Sequence, residues 1–306
     1  MPVASDQLAT RQEAAPGAAT ATAAIGWMVF SVLLFSIMDA TVKWLETEGY
    51  GVAQVMFFRG LFGLPFTALV IARGGGRKLL RTRRPLGHVT RSLVGTTTVA
   101  CFFYAYGHMA LADAVAIGFA APLFSILLAL VVLGERVGWH RWGAVVVGFV
   151  GVWIMLRPGV GVLAPAALVA LAGTATYAWA TIVIRQLSRT EPASTIVFYY
   201  MLTTVAVSAA FLPFGWRAPD LGGWVLLGGM GLAGSTAQIA FTRALAIGPV
   251  ARVAPFDYTA LLWAILFGYV LWGDLPDRWT LLGAGIVVAA GLYILYRETQ
   301  KAPIAG

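Results

Sequence analysis

The chain has 306 residues, of which 59% are hydrophobic and only 11% are charged. Soluble domains carry about 25% charged residues, so this composition excludes an ordinary soluble domain and indicates a protein surrounded by lipid. The single cysteine, Cys101, excludes an internal disulfide and a cysteine-based metal cluster.

Residues 1–24 are rich in alanine and threonine and lack the basic start and apolar core of a cleaved secretory signal, so we expect a disordered cytoplasmic tail there. A helix that crosses a bilayer needs about 20 mostly apolar residues. The rest of the chain contains ten such stretches, with short connections and a second tail at 298–306. In chain order the stretches are roughly 25–45, 52–72, 90–108, 112–133, 138–156, 163–184, 194–213, 222–242, 250–272 and 279–296.

The basic residues are distributed unevenly between the two sets of connections, and cytoplasmic connections usually carry the excess. With the amino terminus inside, 16 of the 21 basic residues fall in inner regions, seven of them between Arg73 and Arg91, and three fall in outer loops. This bias predicts a multi-pass inner (plasma) membrane protein with both termini in the cytoplasm. It also accounts for the net charge of +8 without a nucleic-acid partner.

The two halves of the chain show a weak internal duplication. Ala110–Ala112 recurs as Ala244–Ala246, and Leu133–Glu135 has its counterpart in Trp272–Asp274. Each half holds five predicted spans, so the second copy must enter the membrane from the opposite side. Inverted repeats of this kind are typical of secondary transporters, whose binding sites lie near the midplane between the copies.

Residues 122–159 and 269–298 resemble, in order and spacing, the two repeats of the ten-helix EamA branch of the drug/metabolite transporter superfamily. The resemblance implies an all-α membrane protein with ten transmembrane helices arranged as two inverted five-helix EamA repeats, 25–157 and 163–297. The segments DATVKWL (39–45) and FFR (57–59) resemble the subgroup that includes S-adenosylmethionine and riboflavin uptake proteins. Asp274 stands where the family more usually has glutamate.

Four charged residues lie within the predicted spans: Asp39, Lys43, Arg59 and Asp257. A charge at a helix centre costs roughly 2.5 to 3.5 kcal/mol, so four facing lipid would rival the roughly 5 to 15 kcal/mol that stabilises a whole fold. They should therefore face one another or a wet cavity. Two interpretations of Asp39, Lys43 and Arg59 stay open, a substrate path and a static ion-pair cluster. For Asp257 a cavity role is favoured, and proton coupling through either aspartate is left open.

Aromatic and polar side chains occur at corresponding depths of the two halves. Tyr104 follows three threonines in the third span, and the repeat offset of 134 aligns it with Gln238. Together Tyr104 and Gln238 could form the wall of a binding cavity, which Trp179, Tyr258 and Trp263 could extend. Such a wall would suit a solute with rings and hydrogen-bonding groups. Ordinary packing is the alternative interpretation. Pro122, Pro249 and Pro255 could interrupt the fourth and ninth spans, because proline removes a helical hydrogen bond.

The sequence predicts no metal, no cofactor and no enzyme, since it has no pair of histidines at ligand spacing, no phosphate-binding loop and no nucleophile elbow. His108 and Asp113 match a spacing used by some acyltransferases, and a membrane-embedded acyltransferase is carried as an alternative. We expect a secondary transporter that moves a small organic metabolite by alternating access, with export of amino acids or related metabolites as the first hypothesis. Uptake of a ring-bearing metabolite of the S-adenosylmethionine or riboflavin type is the second, and the oligomeric state is left open.

Overall fold

The computed structural model describes residues 18–133, 138–156, 165–248 and 250–301. Over these residues the fold is all-α, as predicted, and three short 3₁₀ helices lie at Gly76–Leu80, Leu212–Phe214 and Ala254–Thr259. The α-helices are α1 Ala18–Thr47, α2 Val52–Gly74, α3 Pro85–His108, α4 Leu111–Gly118, α5 Ala121–Leu133, α6 Trp139–Leu156, α7 Pro165–Leu187, α8 Ala193–Phe211, α9 Leu221–Ile247, α10 Val250–Val253, α11 Ala260–Trp272 and α12 Arg278–Lys301.

Ten helical stretches of the described chain correspond to the ten predicted spans. Nine of them are long and apolar enough to cross a membrane by length and composition. The tenth, α3, is 24 residues long but carries several polar side chains that are buried in the protein, among them Arg91 and Thr96. Burial against neighbouring helices explains why α3 can lie among membrane spans without being strongly apolar.

Several helix ends differ from the predicted boundaries, among them the start of α3 at Pro85 and the end of α9 at Ile247. α1 begins at Ala18, so residues 18–24 of the predicted disordered tail are helical, and α12 continues to Lys301. Residues 1–17 and 302–306 of the predicted tails, together with Glu135 and Pro249, lie outside the described residues.

The fourth and ninth spans are both interrupted. The break between α4 and α5 lies at Phe119 and Ala120, just before Pro122, and the 3₁₀ helix between α10 and α11 contains Pro255. Proline lacks the backbone N–H that continues an α-helix, which accounts for breaks at these positions. Discontinuous helices at matching places in two repeats commonly border the binding site of a secondary transporter.

The helix packing has the symmetry of an inverted repeat. α1 packs on α9 as α7 packs on α3, and α2 packs on α9 as α8 packs on α3. The pairs α2–α8 and α6–α12 each join the same helix of the two copies. Exchanging the copies therefore maps these contacts onto one another.

α6 and α12 approach each other backbone to backbone. A Cβ atom added to Gly151 would lie 2.8 Å from the Gly283 carbonyl oxygen, and one added to Gly283 would lie 2.5 Å from the Gly151 carbonyl oxygen. Small residues allow membrane helices to pack this closely and to gain dispersion energy along the contact. The glycine contact fixes the fifth helix of one copy against that of the other.

Candidate functional site

A cavity of about 180 Å³ lies between the two copies. α1–α4 of the first copy and α7–α9 with the broken ninth span of the second contribute to its wall. Its charged and amide side chains are Asp39, Arg59, Arg91, Gln238 and Asp257. Three of the four charges predicted within the spans therefore face one cavity, together with the predicted glutamine. Aromatic rings from α3, α7, α8 and α9 form much of the remaining wall.

Each carboxylate in the cavity accepts a hydrogen bond from a tyrosine on a neighbouring helix. The Tyr106 hydroxyl of α3 donates to Asp39 Oδ2 of α1 at 3.1 Å. The Tyr177 hydroxyl of α7 donates to Asp257 Oδ2 in the ninth-span break at 3.3 Å. The first pair joins α1 to α3, and the second joins α7 to the ninth-span break. The hydrogen bonds fix each carboxylate at the wall of the cavity.

Two guanidinium groups that line the same cavity both contact Tyr200. Arg59 Nη1 donates to the Tyr200 hydroxyl at 2.9 Å, and the Arg59 Cζ atom lies 5.6 Å from the centre of its ring. The Arg91 Cζ atom lies 4.2 Å from the same ring centre. Both arginines are almost fully buried, at 1% and 2% exposed. Among the described residues, no carboxylate forms an ion pair with either of them.

The model of one protein family, described as the EamA-like transporter family, matches residues 22–157 and 164–296. The chain belongs to the EamA-like transporter family. The predicted resemblance is thereby confirmed, and the protein is a multi-pass membrane transporter.

Curated relatives of this EamA transporter are named for several cargoes. It is 30% identical over 281 residues to the S-adenosylmethionine uptake transporter of Rickettsia prowazekii, covering 90% of this chain and 94% of the relative. It is 28% identical to the riboflavin transporter of Rhizobium johnstonii, covering 90% and 91%. It is 29% identical to the pseudopaline exporter CntI of Pseudomonas aeruginosa strain UCBPP-PA14, covering 86% and 92%. A solved crystal structure with 17% identity shares the fold, with a TM-score of 0.65 over 92% of this chain and 99% of that chain.

Lys43 lies apart from the cavity of the EamA transporter, although the sequence grouped it with Asp39 and Arg59. Its Nζ atom donates to Asp274 Oδ2 at 2.8 Å and to the Met109 carbonyl at 3.3 Å, and it lies 5.0 Å from the centre of the Trp272 ring. We call Lys43, Met109, Trp272 and Asp274 the outer cluster, because the predicted orientation places these residues at the outer end of the helices. It joins α1 to the α3–α4 connection and to the end of α11. Because Lys43 is near the end of α1, its long side chain reaches past the cavity to this cluster.

Three predicted wall residues lie elsewhere in the described structure. Neither this cavity nor the second one described below is lined by Tyr104, Trp179 or Trp263. Tyr104 stacks on His108 at 4.1 Å between ring centres, Trp179 is 40% exposed, and Trp263 stacks on Phe267 at 6.2 Å. Tyr104 and Trp179 each lie two positions from a cavity tyrosine. Two positions turn an α-helix by about 200°, which places them on the opposite face.

A second cavity of about 190 Å³ adjoins the first. The two share wall residues, among them Phe119, Tyr177, Phe241 and Asp257. The second cavity extends toward the carboxyl ends of α9 and α12, at Leu245 and Leu295, and is lined by Tyr258, which is absent from the wall of the first cavity. Asp257 therefore lines both cavities.

Arg91 is a cavity residue that the sequence interpretation misplaced. Arg91 was counted with the inner loop cations, but α3 begins at Pro85 and carries Arg91 into the bundle. His88, three positions earlier in α3, is also buried, at 3% exposed, and its ring centre lies 4.7 Å from that of Tyr199. The helix-start signal of Pro85 could have indicated both positions. Removing Arg91 from the inner count leaves the basic excess on that side large.

Proposed function

We propose that this transporter carries a small organic metabolite with both an acidic and a basic group, as an amino acid has, across the inner membrane by alternating access. In this proposal residues 25–157 and 163–297 are the two moving copies, and both termini are cytoplasmic. The observation that carries it is the cavity between the copies, which Asp39, Asp257, Arg59 and Arg91 line together with aromatic rings.

The charges of the cavity complement a zwitterion. An amino acid presents a carboxylate to a guanidinium and an ammonium group to a carboxylate, and such charge-assisted hydrogen bonds are about twice as strong as neutral ones. Riboflavin has no ionised group near neutral pH, so it would leave buried charges of the wall without compensation. The cavity therefore favours a zwitterionic solute over riboflavin.

The aromatic lining favours a solute that also has a flat or apolar part. Phe102, Phe103 and Phe241 line the cavity together with its three tyrosines. S-adenosylmethionine combines an amino-acid group with an adenine ring, and the relative from Rickettsia prowazekii is named for its uptake. It is thus the first cargo to test, beside ordinary amino acids. The relatives are named for both uptake and export, and export of an amino-acid-type metabolite stays the first hypothesis for direction.

Alternating access is supported by the different closure of the two ends. The outer cluster ties α1 to the α3–α4 connection and the end of α11, whereas the second cavity extends toward the carboxyl ends of α9 and α12, which are inner ends in the predicted orientation. Opening the outside requires the Lys43–Asp274 ion pair to separate. Asp39 and Asp257 are the groups we propose as proton carriers if flux is coupled to a proton gradient.

The test is flux of labelled solutes in proteoliposomes, measured in both directions, with S-adenosylmethionine, a panel of amino acids and riboflavin. We expect unmodified zwitterionic solute to move, which also separates a transporter from an acyltransferase. Asp39→Asn and Asp257→Asn should each reduce flux at least tenfold. Arg217→Gln is the matched control, because Arg217 forms a half-exposed outer ion pair with Glu48. Riboflavin flux that survives both aspartate substitutions, without zwitterion flux, would overturn the proposal.

A further inference from the structure

The Arg91 side chain has hydrogen-bond donors without a partner. Its Nε and Nη1 atoms are buried and donate to no described residue, although the side chain lines the central cavity. A buried donor left unpaired costs about 1–3 kcal/mol, and more when it is charged. Such a group in a cavity wall points to a ligand that accepts from it.

The position of the Arg91 guanidinium is built into the fold. Gly95 lies one turn further along α3, and a Cβ atom there would collide with Arg91 Nη1. The same Cβ would lie 3.1 Å from Tyr200 Cε2, so the guanidinium fits between a bare backbone and the Tyr200 ring. Stacking on the ring holds the planar group in one orientation. The site is therefore preorganised without a counter-ion among the residues that the structure describes.

Arg59 differs from Arg91 because protein groups accept hydrogen bonds from two of its donor atoms. Arg59 Nη1 donates to the Tyr200 hydroxyl at 2.9 Å, and its Nε donates to Met38 Sδ at 3.2 Å. Arg59 thus holds Tyr200, and Tyr200 supports the face of Arg91. The carboxylates of the cavity are hydrogen-bonded to Tyr106 and Tyr177 instead of to Arg91.

We propose that Arg91 is the anchor for the carboxylate of the solute, that Tyr200 is the platform beneath it, and that Arg59 is a positioning residue that acts through Tyr200. The inference rests on the proposed function and adds the group that selects carboxylate-bearing solutes. A planar guanidinium can bind a carboxylate through two parallel N–H···O bonds, which a lysine cannot reproduce.

The experiment compares each solute with its analogue that lacks the carboxylate. The probe pairs are S-adenosylmethionine with decarboxylated S-adenosylmethionine, and phenylalanine with 2-phenylethylamine. Binding is measured by ligand-induced thermal stabilisation of the purified transporter, and flux in proteoliposomes. Arg91→Gln should weaken binding of the carboxylate-bearing members at least 30-fold and leave the amines within twofold. Without ligand it should melt no lower than the wild type, since it removes a buried charge that lacks a counter-ion.

Further variants separate anchoring from structure. Gly95→Ala keeps the arginine but displaces its guanidinium, so it should reproduce the Arg91→Gln pattern. Arg91→Lys should recover only part of the carboxylate preference. Tyr200→Phe keeps the ring but removes the hydroxyl through which Arg59 acts, so it should lose part of the carboxylate preference, and Arg217→Gln should change nothing. An equal loss for both members of a pair in Arg91→Gln would overturn the assignment, because a structural role has no analogue preference.

A failure of the proposed function is distinguishable from a failure of the anchor. If no zwitterion stabilises the wild-type protein or is transported by it, the proposed function fails. The anchor is then tested with benzoate and inorganic phosphate. Thermal stabilisation of the protein by benzoate, if it disappears in Arg91→Gln, would support a carboxylate site. Tighter binding of phosphate than of benzoate, or no anion stabilisation that depends on Arg91, would overturn it.

Discussion

Asp274→Asn is expected to loosen the outer end of the transporter. The Lys43 Nζ and Asp274 Oδ2 atoms are 2.8 Å apart, with side chains 8% and 41% exposed. Exposed ion pairs contribute about 0.2–1 kcal/mol, and hydrogen bonds to charged groups contribute about 1.5–3 kcal/mol. Since one partner is buried and the other half-exposed, we take the contribution of this ion pair to be about 1.5 kcal/mol. Its loss would change the equilibrium between the closed and open outer end roughly tenfold.

The assay is the rate at which a membrane-impermeant maleimide, added outside, labels a cysteine below the outer cluster. Ala112 is suitable because it is buried at the start of α4, close to Met109. The reporter Ala112→Cys is placed in a Cys101→Ala background, since Cys101 is the single cysteine of the chain. With Asp274→Asn the labelling rate should rise about tenfold, because the outward-open state gains population by that factor.

Glu48→Gln provides the matched control. It removes a second outer ion pair, with 3.9 Å between Arg217 Nη2 and Glu48 Oε2, in which both side chains are half-exposed. The labelling rate should stay within twofold of the wild type. Combining Lys43→Asp with Asp274→Lys should bring the rate back toward that of the wild type. An unchanged rate in Asp274→Asn, or an equal rise in Glu48→Gln, would refute the reasoning.

The other predictions concern packing, coupling and the inner connections. Gly283→Val should lower the melting temperature by overpacking against the Gly151 carbonyl, a cost of about 1–3 kcal/mol or more, while the solute affinity of the folded fraction stays unchanged. Asp257→Asn should remove any acceleration of flux by an imposed proton gradient, and equal acceleration in variant and wild type would exclude Asp257 as the carrier. Glu191→Gln should destabilise the protein by about 1 kcal/mol in thermal unfolding, because it weakens the 2.8 Å hydrogen bond from the Thr82 hydroxyl. Truncation of the exposed Leu86 side chain is the control and should leave the melting temperature unchanged.

The spans could be predicted because the length of an apolar run is set by bilayer thickness, which is a local property of the sequence. The break near Pro122 was also predictable from local sequence, because proline lacks the backbone N–H that would donate a hydrogen bond within its own helix. The early start of α1 at Ala18 was not, because alanine and threonine are common in both helices and tails.

The site was predictable only in part. Asp39, Arg59 and Asp257 are conspicuous because a charge within an apolar run requires shelter. Arg91 was missed because it follows six basic residues of the inner connection and looks like one of them. Lys43 was found but given the wrong neighbours, since its partner Asp274 lies 231 positions away. Depth in the membrane can be estimated from sequence spacing, but the choice of partner depends on tertiary packing.

The contact between Gly151 and Gly283 joins the two copies at a place away from the central cavity, whose residues would set the cargo preference. No described residue of α6 or α12 lines the central cavity. Substitutions that reshape the central cavity therefore need not touch this joint, although Arg141 of α6 and Ile294 and Leu295 of α12 line the second cavity. A scaffold divided in this way can acquire different cargoes while its mechanical frame stays constant.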